Sequence, residues 1–172
     1  MYELDIELPE WLREVLEKLE SYRGYNINYE PSEDEYGQDS SEKLSGLLYI
    51  PHEGNYKEMV SRLSEDDVLC DMGAGDLRFA LIASTVCKKV YAVEMSPKLI
   101  SKSLALMDYE LPDNVIVICA DWRQILVPED VTIISCLVNI SEEELPEEWK
   151  DNGRRVFRGI KDPHRGDFLS EL

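Results

Sequence analysis

Apolar residues in this chain recur at two spacings, and each change from one to the other marks a new element. Near the start, Tyr2, Leu4, Ile6 and Leu8 alternate with acidic neighbours and predict a short extended lead. Pro9 then suits the first turn of a helix, and Trp11, Leu12, Val15, Leu16 and Leu19 make one apolar stripe at helical spacing. That stripe can dock on the rest of the chain or on a partner. Residues 28–42, NYEPSEDEYGQDSSE, are acidic and rich in turn formers, and they read as a linker. The predicted organisation is an N-terminal amphipathic helix with an acidic linker over 1–43, followed by the main domain over 44–172.

Beyond the linker, strand and helix patterns alternate. Tyr56, Met59, Val60 and Leu63 predict a short helix, and residues 77–86 predict another. Ser96 with Pro97 is a capping pair for a third helix bearing Leu99, Ile100, Leu104 and Met107. Short apolar runs at 68–70, 90–93, 115–119 and 131–137 predict four strands, and 154–158 a fifth. The stretch SEEELPEEWK predicts a short acidic helix. Continuous apolar strands between helices indicate an α/β fold, three-layer, with a mostly parallel sheet covered on both faces. After the fifth strand only KDPHRGDFLSEL follows, too short and too polar for two more core strands. The sheet is therefore expected to stop there, with the fifth strand as its edge.

Charge changes this picture at one point. The formal net charge is −18 over 172 residues, with 44% hydrophobic residues. Such a chain folds, but its surface repels phosphate backbones and gains nothing from counterion release, so nucleic acid is not expected as a partner. A basic protein partner or substrate fits better. No run approaches the roughly 18 apolar residues that cross a bilayer, and the first residues lack the pattern of a signal peptide, so no membrane association is expected. Cys70, Cys87, Cys119 and Cys136 form no CxxC pair and read as buried free thiols, which suits a cytoplasmic protein. Neither His52 nor His164 is spaced to complete a metal site, so no metal is expected.

The chemistry concentrates where predicted strands end. In a parallel sheet, ligands bind beyond the carboxyl ends of the strands. The loop DMGAGDLR follows the first strand; Gly73 and Gly75 allow positive φ and close approach of a ligand, and the helix after them presents N-terminal amides to a carboxylate. Glu94 ends the second strand, where an acid can accept hydrogen bonds from both hydroxyls of a ribose. Asp121 and Trp122 follow the third strand, where an acid can receive an amino group and an indole can pack on a ring. The fourth strand ends at Asn139, the one polar candidate there for a catalytic role. Asp76 reads equally as an N-cap, and Arg78 as a partner of the acidic loop. Arg78 also stands where a dinucleotide fingerprint needs its third glycine, which disfavours a nicotinamide dinucleotide, and no Walker lysine is present.

With these residues in place, the chain resembles the class I S-adenosylmethionine-dependent methyltransferases. VLCDMGAGDLR is similar to their first motif, VYAVEMSPKLI to their second and VICADW to the adenine-edge motif, within residues 49–160. A narrower similarity, in the GxGDxR variant and the preceding LLYIPHEGNYKEMV, is to small protein-lysine methyltransferases of the ATP-synthase c-subunit type. The resemblance implies a Rossmann-like methyltransferase sheet with S-adenosyl-L-methionine as cofactor. It implies that Asp71, Gly73 and Gly75 meet the methionine part, Glu94 the ribose, and Met95, Asp121 and Trp122 the adenine, while Tyr49 closes over the methionine end. Two departures stand out. The fourth strand lacks the Asn/Asp-Pro-Pro-aromatic motif of amide and base N-methyltransferases, and the substrate half looks minimal. The expected function is methyl transfer to an acceptor such as a basic protein side chain. A catalytically inactive cofactor-binding partner or regulatory module is the alternative. A homodimer or a subunit paired along the fifth-strand edge would complete the acceptor side.

Overall fold

A computed structural model describes residues 4, 6–25, 53–162 and 166–172. Within them, the apolar runs form a six-stranded sheet from β1 (Val68–Met72), β2 (Lys89–Glu94), β3 (Val115–Cys119), β4 (Ile133–Asn139), β5 (Arg155–Asp162) and β6 (Gly166–Glu171). The order is β3-β2-β1-β4-β5-β6, parallel throughout except for the antiparallel β5–β6 pair. The chain crosses from one side of β1 to the other between β3 and β4. That reversal opens the carboxyl edge at β1 and β4, the place where open α/β sheets bind ligands.

Register explains why these runs are continuously apolar. Leu69 pairs with Val90 on β2 and with Ile133 on β4, so three fully buried side chains line one face. Cys70 and Ile134 line the other. The α-helices α1 (Glu10–Tyr25), α2 (Glu53–Val60), α3 (Arg78–Ser84) and α4 (Pro97–Leu106) all pack on the first face. Leu12, Leu16 and Leu19 of α1 are buried in that same core, each contributing about 1.5–3 kcal/mol. The N-terminal stripe is therefore part of the main core, with Trp11 turned outward.

Four expectations change. Among the described residues, no α-helix contributes to the second core cluster; Leu145 and Trp149, from the connection after β4, cover it with the partly buried Trp122 and Ile125. The stretch predicted as one acidic helix forms two 3-10 turns, Glu142–Glu144 and Glu147–Gly153, because Pro146 falls between them and a Ser141–Glu144 capping box closes the first. The sheet also does not stop at β5. Residues 166–171 form β6, so β5 has a neighbour on both sides and is not an edge open to another chain. The arginines at and just before β5 bind within the chain instead: Arg154 donates to the Val131 and Pro128 carbonyls, Arg155 to Glu171 at the surface, and Arg158 to the Ile140 carbonyl. The four cysteines are free, with Cys119 exposed where burial was expected; burial pushes the Cys70 and Cys87 thiols up to about 12.

β4 shifts register against β5 between Cys136 and Asn139, and Asn139 pairs with Gly159. A Cβ at Gly159 would lie 2.5 Å from the Leu137 carbonyl oxygen, so the two backbones approach as they do only because that position is glycine. Gly159→Ala is expected to destabilise the fold by about 1–3 kcal/mol, the usual cost of overpacking. Chemical denaturation measures this, and a wild-type midpoint would contradict the crossing.

Candidate functional site

The parallel register delivers several loops to one place. Met72 pairs with Val93, Glu94 pairs with Cys119, and the Ala120 N–H donates to the Glu94 carbonyl at 3.1 Å. The segments after β1, β2 and β3 thus leave the sheet side by side. The loop after β1 turns on three left-handed residues, Gly73 (φ 78), Gly75 (φ 58) and Leu77 (φ 68). The two glycines adopt this freely. Leu77 does not; it is fully buried, and its backbone costs on the order of 1–3 kcal/mol that its surroundings must offset.

The amides of this loop are already in use. Gly73 and Ala74 both donate to the Val93 carbonyl, at 2.9 and 2.8 Å. Gly75 donates to Glu94 Oε2 at 2.9 Å, and Ser96 to Glu94 Oε1 at 2.8 Å. The Arg78 N–H is taken by Asp76 Oδ1 at 3.3 Å. Helix α3 begins only at Arg78 and has seven residues, so the expected open N-terminus for a carboxylate is not what the loop presents. Asp76 neither caps through the Ncap position, which is Leu77, nor stands apart: it bonds both the backbone and the side chain of Arg78.

What the site does present is buried negative charge. Asp71, Asp76 and Glu94 are 3%, 5% and 7% exposed, and Arg78 is the one buried cation among the described residues. Asp71 lies on the helix-covered face of β1, opposite Ser135 of β4, whose hydroxyl donates to Asp71 Oδ1 at 2.8 Å. Burial pushes Asp71 up to about 7, the Ser135 hydrogen bond opposes this, and the Glu94 charge adds to it. Glu94 is raised too, chiefly by burial, against the amides of Ser96, Gly75 and Met95. Met95 follows it, half-buried.

The adenine-side candidates are built differently. Asp121 accepts from Arg123 through its backbone and guanidinium, at 3.0 and 2.9 Å among others, and that hydrogen bonding lowers its pKa. Trp122 is half-buried, its ring 5.3 Å from the Trp149 ring at 57°, with the Arg123 guanidinium 5.8 Å from its centroid. It therefore packs against the second core cluster. Asn139 ends β4 with its backbone paired to Gly159, and its side chain lies outside the described residues, as does Tyr49. Ser135 was read only as the start of the stretch that ends β4; its bond to Asp71 comes from the β1–β4 register, which sets the two residues opposite each other. Among the described residues no group of three or more His, Cys, Asp or Glu is placed to hold a metal ion, and no helix is long and apolar enough to cross a membrane.

No protein-family model and no curated protein matches the chain. Solved structures do. Wild-type Trm5b from Pyrococcus abyssi aligns at 19% identity and TM-score 0.53, covering 67% of this chain and 37% of that one. YjhP from E. coli aligns at 15% and 0.53, covering 70% and 54%. The tRNA (m1A58) methyltransferase TrmI from Aquifex aeolicus aligns at 16% and 0.50, covering 70% and 51%. The chain thus matches between 37% and 54% of the length of these proteins. Its sheet is the Rossmann-like sheet of the class I methyltransferase fold.

The buried Asp71 makes a prediction for the protein alone. Its folded pKa of about 7 lies above the usual carboxylate value of about 3.9, so the fold prefers the neutral acid. That contribution is complete below the unfolded value and is lost as pH rises through about 7. Wild-type melting temperature is expected to fall from pH 6 to pH 8 more steeply than that of Asp71→Asn, and parallel profiles would show that Asp71 does not titrate there.

Proposed function

We propose that the protein binds S-adenosyl-L-methionine and transfers its methyl group to a basic protein side chain. The observation that carries this reading is the imbalance at the glycine loop, three buried carboxylates against one buried guanidinium. A pyrophosphate would meet that negative charge with the loop amides of Gly73, Ala74 and Gly75 already occupied. A ligand with cationic groups and ribose hydroxyls meets acceptors instead. The donor and acceptor set therefore fits this cofactor and opposes a nicotinamide dinucleotide.

The roles follow from chemistry and from the motif resemblance. Glu94 keeps lone pairs beyond those used by Gly75 and Ser96, and these accept ribose hydroxyls. Asp71, held by Ser135, faces an ammonium, which favours its ionised form. Met95 and Trp122 pack on the adenine, and Asp121 receives its amino group once Arg123 yields an acceptor site. Tyr49 closes the methionine end. When bound, the cofactor supplies an activated methyl group on a sulfonium. The protein then has to orient the acceptor and exclude water, effects that supply much of such a barrier without a conspicuous base. An amine acceptor must lose its proton first, so pH governs acceptor reactivity.

The net charge of −18 supports a basic side chain over RNA as acceptor. TrmI is a tRNA methyltransferase by name, and the fold it shares with this chain does not choose the acceptor. Methylation of lysine-rich protein acceptors against RNA, with labelled cofactor, tests the choice. RNA labelling alone would reverse it.

Binding is tested by thermal shift. S-adenosylhomocysteine at about 100 times its dissociation constant is expected to stabilise the fold by about 2.7 kcal/mol, and NAD to leave it unchanged. No shift with S-adenosylhomocysteine would remove the cofactor assignment. Glu94→Gln keeps one acceptor oxygen and loses the charge. It is expected to weaken binding by about tenfold or more, since hydrogen bonds to charged groups contribute about 1.5–3 kcal/mol. Unchanged affinity would make Glu94 a structural cap joining two loops.

A further inference from the structure

The glycine loop is held from outside the site by a short chain of charges. Arg78 is 2% exposed. Its Nε lies 2.9 Å from both Asp76 oxygens, and its Nη2 also donates to Asp76 Oδ2. On the other side, Arg78 Nη1 donates to Glu20 Oε2 of α1 at 3.0 Å. The anchor beneath Glu20 is firm, because Leu16 and Leu19 of the same helix are buried in the main core. Between Asp76 and Arg78 stands Leu77, left-handed and fully buried. A loop containing two glycines and one strained leucine needs an external restraint to keep a single shape, and the guanidinium fork spans the two acids that provide it.

We propose that Arg78 is the positioning residue of the glycine loop: its guanidinium clamps Asp76 and, through Glu20, makes α1 a structural part of the ligand site. The ligand consequence rests on the proposed function, whereas the clamp is a property of the ligand-free protein. Released, the loop spends part of its time in other conformations. A ligand that needs the clamped form then binds more weakly, in proportion to the population lost.

The test compares wild type with D76N/R78M, E20Q and R78K. Removing the Asp76 and Arg78 charges together leaves no buried charge without its partner. E20Q alters a half-exposed side chain and keeps the fold in any event. Hydrogen exchange of peptides covering residues 72–81 is measured without ligand, beside melting temperature and S-adenosylhomocysteine affinity. In D76N/R78M the loop amides are expected to exchange about tenfold faster and affinity to fall about tenfold, with melting close to wild type. E20Q is expected to show about a threefold change in both, and no further change when added to D76N/R78M, because its effect runs through Arg78. R78K keeps the charge without the fork and should fall between wild type and the double variant.

Unchanged loop exchange in both D76N/R78M and E20Q would overturn the clamp. So would an affinity loss that merely tracks a lower melting temperature, since that is the signature of a general structural role. Should D76N/R78M fail to fold, E20Q decides alone. If wild type does not bind S-adenosylhomocysteine, the proposed function fails while the exchange data still decide the clamp.

Discussion

Burying a carboxylate costs several kcal/mol unless hydrogen bonds or a counter-charge replace the water it loses. This fold meets that cost three times around one loop, by three different means. Asp76 takes a guanidinium, Glu94 takes two backbone amides, and Asp71 takes a serine hydroxyl. Only the first is a full counter-charge. The other two carboxylates keep capacity to accept, and their raised pKa values mark what their burial leaves unbalanced. The rest of the carboxyl edge follows from this. The amides of Gly73, Ala74 and Gly75 are spent on the protein itself, which leaves them no donors for a phosphate, in keeping with the proposed cofactor.

The architecture is arranged to sustain that burial. Ser135 reaches Asp71 because β1 and β4 are paired in a register that sets them opposite each other. Glu94 reaches Gly75 because β2 ends one residue beyond the Met72–Val93 pair. Arg78 stays in place because α1 lies on the same face of the sheet and supplies Glu20. The N-terminal helix, which the sequence sets apart behind a linker, thereby shares both the core and the charge network of the site.

Strands β1, β2 and β4 were legible because each carries an apolar run, which a strand buried on both faces requires. β3 was legible as an apolar run although, as the outer strand, it leaves Ile116 and Cys119 exposed. The positions of the glycine loop and of Glu94 were legible because their motifs set them at strand ends, where the structure joins them through the Gly75–Glu94 hydrogen bond. β6 was not: in GDFLSE half the residues are polar, and the strand exists through its pairing with β5 while Leu169 packs on the main core. Reading the chain as ending its sheet at β5 followed from that polarity. The 3-10 turns were missed because an acidic run scores as helix while Pro146 divides it. Arg78 was read as a partner of the acidic loop, and Asp76 is that partner; its other acid, Glu20, lies 58 residues away and only the packing of α1 brings the two together. Trp122 was read for the adenine, and what the structure shows is its packing beside Trp149.

The central claim is that the buried Asp71, its pKa raised by burial, receives the cationic end of the ligand. Calorimetric titration with S-adenosylmethionine at pH 6, repeated in buffers of different ionisation enthalpy, measures it directly. With Asp71 held at about 7 in the free protein, binding of an ammonium should release close to one proton per ligand, and Asp71→Asn should abolish the release. Tight binding with no proton release from wild type would show that Asp71 does not face the ligand's charge, and would contradict the account.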